Sequence, residues 1–227
     1  MKAMILAAGR GERMRHLTEH TPKPLLRVGG KALIEYSIEN LAAAGFRDLV
    51  INVAYLGRQI VEFCGDGRQW GVKIAYSDEG DSALETAGGI AKALPLLGDQ
   101  PFLVVNSDIV CDFPLASLRG KIVDRAHLIV IDNPLHHPGG DFSLDNNGLL
   151  AEQGNKKFTF SGIGVYHPAL FAGIPIAPLK LRPVLNQAMH ERRVSGEKFH
   201  GLWLDIGTPE RLQAIETLMK LAVTEQA

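Results

Sequence analysis

In "MILAAGRGERM" (Met4–Met14) an apolar run stops at two closely spaced glycines, and cations crowd the residues that follow. Arg10, Arg13, Arg15 and Lys23, with His16 and His20, face only Glu12 and Glu19 over the stretch that ends at Lys23. Glycines let backbone N–H groups approach an anion closely, and nearby cations then neutralise it. That combination suits a polyphosphate. Two common phosphate motifs fail on particular residues. The dinucleotide pattern G-x-G-x-x-G needs a third glycine where Met14 stands, and an acid where the next strand reads "NVAYLG" (Asn52–Gly57). The Walker pattern G-x-x-x-x-G-K-[ST] is absent. Lys23 lies in "TPKPL" (Thr21–Leu25), and a proline on each side biases its backbone to extended geometry. The competing reading of the whole segment is a tight turn followed by a solvated, charged loop.

Two acids stand where ligands gather in open α/β sheets, just past apolar strands. Asp108 follows "PFLVV" (Pro101–Val105), and Asp205 ends "GLWLD" (Gly201–Asp205). One hard divalent cation, held by one or two carboxylates and by substrate phosphates, is the usual magnesium arrangement. Asp108 and Asp205 are therefore the expected metal ligands, provided the chain brings them together. Otherwise they are a turn residue and part of a helix start. "LETAGGIAKAL" (Leu84–Leu94) supplies a third feature, a helix with Gly88 and Gly89 in its first turns. Glycine is unfavourable there unless something packs close by.

These residues need elements to hold them. Lys2–Ala7, Asp48–Tyr55, Val72–Ser77 and Pro101–Asp108 read as apolar strands. Lys31–Ala44, Leu56–Cys64 and Ala87–Leu97 read as helices between them. Such alternation implies a mixed, mostly parallel sheet flanked by helices, an α/β fold. After Asp112 the pattern turns β-rich. "HLIVID", "GDFSLDNNGLLAE" and "FTFSGIGVYH" read as strands, with a hairpin turn at Asn146-Asn147-Gly148. "GEKFHGLWLD" reads as one last strand, and Thr208 as the N-cap of a helix with Pro209 in its first turn. The expected organisation is a single domain over residues 1–227, with a strand-and-helix half (1–112) and a β-rich half (113–227).

Length and composition agree with this. The chain has 227 residues, 46% of them hydrophobic, with a formal net charge of −1. No global basic balance points to nucleic acid or a membrane surface as partner, so an anionic ligand must meet a local cluster of cations. Two cysteines, Cys64 and Cys111, make neither a disulfide framework nor a metal motif, which favours a reducing, cytoplasmic setting. The apolar run near Lys2 is too short for an export signal, and arginines follow it at once.

"LAAGRGERM" followed by "TPKPLL" resembles the signature of the sugar-phosphate nucleotidyltransferases, L-A-A-G-x-G-x-R-[ML] and then P-K-P. The resemblance implies a Rossmann-like core with an added β-rich sugar-binding part, which makes 1–112 the nucleotide-binding half and 113–227 the sugar-binding half. It also implies transfer of a nucleoside monophosphate to a sugar 1-phosphate with release of pyrophosphate. Under it, Leu6, Ala7, Ala8, Gly9, Gly11, Ala87, Gly88 and Asn106 bind the nucleotide, while Arg13 and Lys23 carry the catalysis. Asp108, in "NSD" where N-G-D is commoner, and Asp205, in "W-x-D-I-G-T-P-E", hold Mg2+. Gly140, Asp141, Glu152 and Ser161 face the sugar. Many relatives carry Glu-Lys-Pro where this chain reads "AEQGNKKF", so those sugar contacts do not transfer directly.

Within the family, "FTFSGIGVYHP" and "LWLDIGTPERL" most resemble a branch that joins UTP to the 1-phosphate of N-acetylmuramic acid in cell-wall recycling. Lys156, Lys157 and Arg182 are the cations considered for its lactyl carboxylate, with no choice among them. The alternatives are a mannose- or glucose-1-phosphate nucleotidyltransferase, and a non-catalytic nucleotide-sugar sensor on the same fold. A sensor would be expected to lose Lys23 or one of the acids. The missing third glycine and ribose acid disfavour a nicotinamide oxidoreductase. A phosphate monoester has its second pKa near about 6, so the nucleophile needs no general base. No Ser/His/Asp or Cys/His set is found, and none is required. The expected partners are UTP and a sugar 1-phosphate, with the chain a monomer.

Overall fold

Continuous apolar runs become buried parallel strands, as their two covered faces demand. The computed structural model describes residues 1–224, with side chains through Thr217. In chain order the strands are β1 (Ala3–Leu6), β2 (Arg27–Val28), β3 (Lys31–Ala32), β4 (Asp48–Val53), β5 (Lys73–Asp78), β6 (Phe102–Asn106) and β7 (Ile109–Cys111). The β-rich part adds β8 (Ala126–Ile131), β9 (Phe142–Leu144), β10 (Leu150–Ala151), β11 (Lys157–Tyr166), β12 (Val194–Lys198) and β13 (Trp203–Asp205). The helices are α1 (Leu33–Ala43), α2 (Gly57–Cys64), α3 (Glu85–Leu97), α4 (Leu181–His190) and α5 (Pro209–Thr224).

One large sheet runs through the molecule. β5, β4, β1 and β6 are parallel neighbours in that order, and β11 joins β6 antiparallel. β8 then pairs with β11, and β12 with β8. The hairpin β9–β10 extends the far end of β11. Helices bury both faces. One core packs α1 and α2 residues such as Ile38, Leu41 and Ile60 against Ile5 and Ile51. The other packs α3 and α4 residues such as Ile90 and Leu185 against Met4, Val104 and Leu128.

Three departures from the sequence pattern matter. The helix expected from Lys31 begins at Leu33, because Lys31–Ala32 turns back on Arg27–Val28 through Gly29 and Gly30, both at positive φ. The helix start is then capped by Glu35, whose carboxylate accepts the Ala32 N–H at 2.6 Å. "GEKFHGLWLD" is two strands rather than one. β12 pairs with β8, whereas β13 crosses back to pair antiparallel with β7. The C-terminal segment thus leaves the β-rich half and rejoins the half built of alternating strands and helices. Lys23 itself is not extended. Pro22 is (φ −64°, ψ 143°), but Lys23 opens a single helical turn closed by Leu25 N–H to Pro22 O (2.8 Å) and Leu26 N–H to Lys23 O (3.1 Å).

β11 carries a bulge between Phe160 and Gly164, beside the carboxyl end of β6. The extra residues re-aim the strand, as bulges near functional sites often do. The Trp203 indole N–H donates to the Ser161 carbonyl at 2.9 Å and pins the bulge to β13.

Candidate active site

The chain leaves β1 toward β4 and β5 and later returns to β6 on the other side of β1. At that reversal the carboxyl ends of β1 and β6 part into a crevice, the ordinary ligand position in such sheets. A cleft of about 770 Å³ opens there. Leu6, Ala7, Ala8, Gly9, Arg10, Gly11 and Arg13 line one wall, with Lys23 beside them; Asn106, Ser107 and Asp108 line the other. The nucleotide and catalytic residues expected from the opening motif therefore stand together.

Gly11 has φ +71°, and a Cβ there would press on Lys23 Cβ at 3.0 Å. The absent side chain lets the loop curl tightly over the lysine. Around Gly9 a Cβ would meet nothing within 4 Å, so that backbone faces open cleft. Arg10 is stacked over the Tyr55 ring, 5.1 Å from its centroid. Met14, which breaks the dinucleotide pattern, is fully buried in a small core with Leu26, Val28, Leu33, Ile206 and Ile215. The residue at the missing glycine thus anchors the cationic loop to the segment just after Asp205.

The strand pair β7–β13 brings the backbones of the two acids close, with Asp108 in the cleft lining and Asp205 just outside it, two residues before Gly207. Asp205 lies opposite Ile109, and Ile206 N–H donates to the Asp108 carbonyl at 2.8 Å. Gly207 lines the cleft, and a Cβ placed on it would lie 3.3 Å from Asp205 Oδ2. Each acid has cationic or imidazole company. Asp108 accepts from the Lys23 ammonium. Asp205 accepts from Arg211, and His136 Nε2 lies 3.2 Å from its other oxygen. Thr208 opens α5 as expected, its hydroxyl accepting the Arg211 N–H at 3.4 Å. Glu210 is held below the ordinary carboxylate range by its own backbone N–H and then by the Thr208 hydroxyl.

The far wall depends on residues that the sequence pattern did not single out. Asn52 Oδ1 accepts the Ala7 N–H at 2.8 Å, and Asn52 Nδ2 donates to Glu79 Oε1 at 2.7 Å. Glu79 Oε2 accepts the Leu84 N–H at 2.6 Å. This chain of bonds ties the glycine loop to the segment that carries Asp81, Ser82, Ala83, Glu85 and Thr86 along the cleft. The available signals were an asparagine inside an apolar strand and an acid at a strand end. Glu79 is only 7% exposed. A glutamine there keeps one acceptor oxygen and turns an NH2 toward an N–H donor. Glu79→Gln is therefore expected to cost about 1–3 kcal/mol of stability, a fall of roughly 3–10 °C in Tm, with a raised KM for the nucleotide. An unchanged melting temperature would rule the network out.

Corrections follow on α3. Ala87 and Gly88 do not line the cleft. Both donate their N–H groups to the Leu179 carbonyl, and a Cβ on Gly88 would lie 2.1 Å from the Ala177 carbonyl oxygen. Gly89 leaves room for Glu79, whose Oε1 would be 2.4 Å from a Cβ there. The close partner that these glycines require is protein, not ligand. Glu85 takes the exposed position instead, in a left-handed conformation (φ +57°) that costs a non-glycine residue about 1–2 kcal/mol.

A second cavity of about 320 Å³ adjoins the cleft, sharing Leu6, Glu85, Thr86 and Asn106 with it. Of the four expected sugar residues, Asp141 lines this cavity. Asp141 accepts the Phe160 N–H at 2.9 Å and sits 3.2 Å from Arg182 and 3.3 Å from His137. The other three do not line it. Ser161 is 0% exposed, and its hydroxyl accepts the Ile163 N–H inside the bulge. Glu152 lies on the β10 side, 3.8 Å from His190. Gly140, at φ +61°, packs its Cα against Asn133 and serves the turn before β9. His136 and His137 each touch an acid of the site.

No thiol competes for a catalytic part. Burial pushes Cys64 up to about 12 and Cys111 up to about 11, so neither is a thiolate near neutrality. Among the described residues, no group of three or more His, Cys, Asp or Glu stands together as a metal cage, and no helix is long and apolar enough to cross a membrane.

Comparison with known proteins accords with this geometry. The nucleotidyl transferase family model matches residues 2–137. The N-acetylmuramate alpha-1-phosphate uridylyltransferase of Neisseria meningitidis serogroup B is 54% identical, over 96% of this chain and 98% of its own length. The enzyme of that name from Caulobacter vibrioides is 33% identical, over 94% of this chain and 95% of its own. The mannose-1-phosphate guanyltransferase of Aspergillus oryzae is also 33% identical, but the match spans only 62% of its length. A solved structure from Bacillus anthracis, assigned as a glucose-1-phosphate thymidylyltransferase, superposes with a TM-score of 0.84 at 22% identity over 97% of this chain and 95% of its own, a likeness of fold. With its glycine-arginine loop, its paired acids and this family match, the chain belongs to the nucleotidyl transferase family and is a sugar-1-phosphate nucleotidyltransferase.

Proposed function

We propose that the chain transfers UMP from UTP to N-acetylmuramic acid α-1-phosphate, giving UDP-N-acetylmuramic acid and pyrophosphate, as a step in cell-wall sugar recycling. One observation carries the chemistry. The β7–β13 pairing carries the backbone at Asp205 to within one residue of Asp108, which lines the cleft together with the glycine-arginine loop. The substrate choice is supported by the relative from Neisseria meningitidis, which matches over nearly its full length.

A sugar-phosphate oxygen attacks the α-phosphorus in line. The bond from that phosphorus to the oxygen bridging it to the β-phosphate breaks, and pyrophosphate leaves. N–H groups of the Ala8–Gly11 loop hold the phosphates, and Arg13 takes charge on the leaving pyrophosphate. Lys23 stabilises charge at the α-phosphate. The base lies along the Asp81–Thr86 wall, which Glu79 fixes. The sugar occupies the adjoining cavity beside Asp141. Asp108 and Asp205 fit magnesium. Their carboxylates are hard oxygen donors, and a magnesium ion held by them would keep waters and substrate phosphates as its other ligands. When bound, that ion supplies charge neutralisation and a template for the two phosphates. A cytoplasmic setting accords with Cys64 and Cys111 being free.

The test is pyrophosphate release with each NTP against a panel of sugar 1-phosphates, with and without magnesium. UTP with the muramate phosphate is expected to be the best pair. Release only with GTP and mannose 1-phosphate, or only with neutral hexose phosphates, would overturn the substrate assignment. No release with any pair would favour a sensor.

A further inference from the structure

The cavity beside the nucleotide cleft carries a cation for which uridylyl transfer has no use. Its lining is largely apolar and aromatic, with Phe142, Phe160 and Tyr166 among its walls. Two cations, Lys180 and Arg182, also line it, at the start of α4. They are not equivalent. Arg182 is committed: Nη1 donates to Asp141 Oδ1 at 3.2 Å, Nη2 to the Asp141 carbonyl at 3.1 Å, and the guanidinium lies over the Phe142 ring. Its charge offsets Asp141, which would otherwise repel any acid entering the cavity. Lys180 has no carboxylate partner among the described residues. It is exposed, yet reaches the wall of an apolar pocket. The other lysines near the sugar strands are engaged elsewhere. Lys156 and Lys198 sit over the Phe158 ring, and Lys157 lies in β11 away from the lining.

The phosphate end of a bound sugar must face Asn106, where the two cavities meet, and the cleft beyond it that Asp108 lines. A substituent at the opposite end of the ring would then point toward α4. We infer that Lys180 receives a carboxylate carried by the sugar, with the Arg182 guanidinium compensating the charge of Asp141 beside it, and that this pair selects acidic over neutral hexosamine 1-phosphates. On the muramate reading, on which this inference rests, the carboxylate belongs to the lactyl ether. An ammonium–carboxylate contact against an apolar wall is worth more than an exposed ion pair, because water competes less for both groups.

The experiment compares kcat/KM for N-acetylmuramic acid 1-phosphate with that for N-acetylglucosamine 1-phosphate, which carries a hydroxyl in place of the lactyl ether. If the neutral sugar is not turned over, its inhibition constant replaces kcat/KM. In Lys180→Ala the preference for the acidic sugar is expected to fall about tenfold, mostly through KM, while KM for UTP stays within twofold. Lys180→Arg should keep most of the preference, and Lys180→Glu should lower it further than alanine does. Raising the salt concentration should erode the wild-type preference and leave that of the alanine variant flat. A wild type that turns over the muramate phosphate, with the same preference in every Lys180 variant, overturns this inference alone. A wild type that releases no pyrophosphate from the muramate phosphate and UTP overturns the functional reading beneath it.

Discussion

Lys23→Ala is expected to lower turnover about 10²–10³-fold, the range seen when one preorganised transition-state donor is lost, while KM for each substrate moves only a few-fold. The reasoning begins with the backbone. Pro22 and Pro24 flank the lysine, and two main-chain bonds close its turn. Gly11 curls over its Cβ, and the side chain is only 12% exposed. The ammonium is thus placed before substrate arrives, and it already faces an anionic oxygen, that of Asp108. A group so fixed costs little reorganisation as charge develops, which is why its loss should appear in kcat more than in binding. Lys23→Arg should not rescue, because a planar fork cannot occupy a space shaped by Gly11 and Thr18 for a slim aliphatic stem. Steady-state pyrophosphate release with both substrates varied decides the matter. Near-normal turnover in the alanine variant would remove Lys23 from the chemistry.

The second large effect concerns the acids. Asp108→Asn and Asp205→Asn are each expected to cost about 10³-fold in activity, corresponding to several kcal/mol of charge stabilisation. If the two carboxylates serve one ion, the double variant should be little worse than the worse single one, because groups that act as a unit are strongly non-additive. Losses that multiply would show two independent roles. A titration of magnesium in the presence of UTP, read by calorimetry, separates lost metal from lost chemistry. Unfolding controls matter at Asp205, which also holds Arg211 and faces His136. Those contacts are partly exposed, so their removal should cost no more than about 1 kcal/mol. A larger fall in stability would mean that activity had been lost through the fold.

The sequence carried much of this, for reasons that differ by element. The cradle was legible because strand, glycines and cations lie within one short segment, where spacing reports geometry directly. The approach of Asp108 and Asp205 depends on β13 crossing back to β7, a long-range contact that periodicity does not encode. The same limit produced the error over "GEKFHGLWLD": both pieces look extended, and only their partners differ. Ala87 and Gly88 failed for another reason. Small residues signal that something approaches closely but do not say what, and here it is the 177–179 backbone and the Glu79 carboxylate. Ser161 misled because a bulge takes it out of the alternation that would have aimed it at the cavity. Asn52 and Glu79 went unnoticed because a buried polar residue in a strand shows its purpose only once its partners are known.

The two cavities touch through just four shared residues, Leu6, Glu85, Thr86 and Asn106. Beyond that seam, Val104 of β6 apart, the walls come from separate stretches of chain: the glycine loop, Lys23, the 79–83 segment and Ser107–Asp108 on one side, β9, β11 and the start of α4 on the other. Altered acceptor preference can therefore arise by replacing the latter stretches as a cassette, with the triphosphate machinery inherited intact. A chimera that carries the β9-to-α4 segment of a relative with another acceptor should keep its nucleotide preference and adopt the donor segment's sugar, so long as Trp203 still finds a carbonyl at the bulge to fasten the two parts.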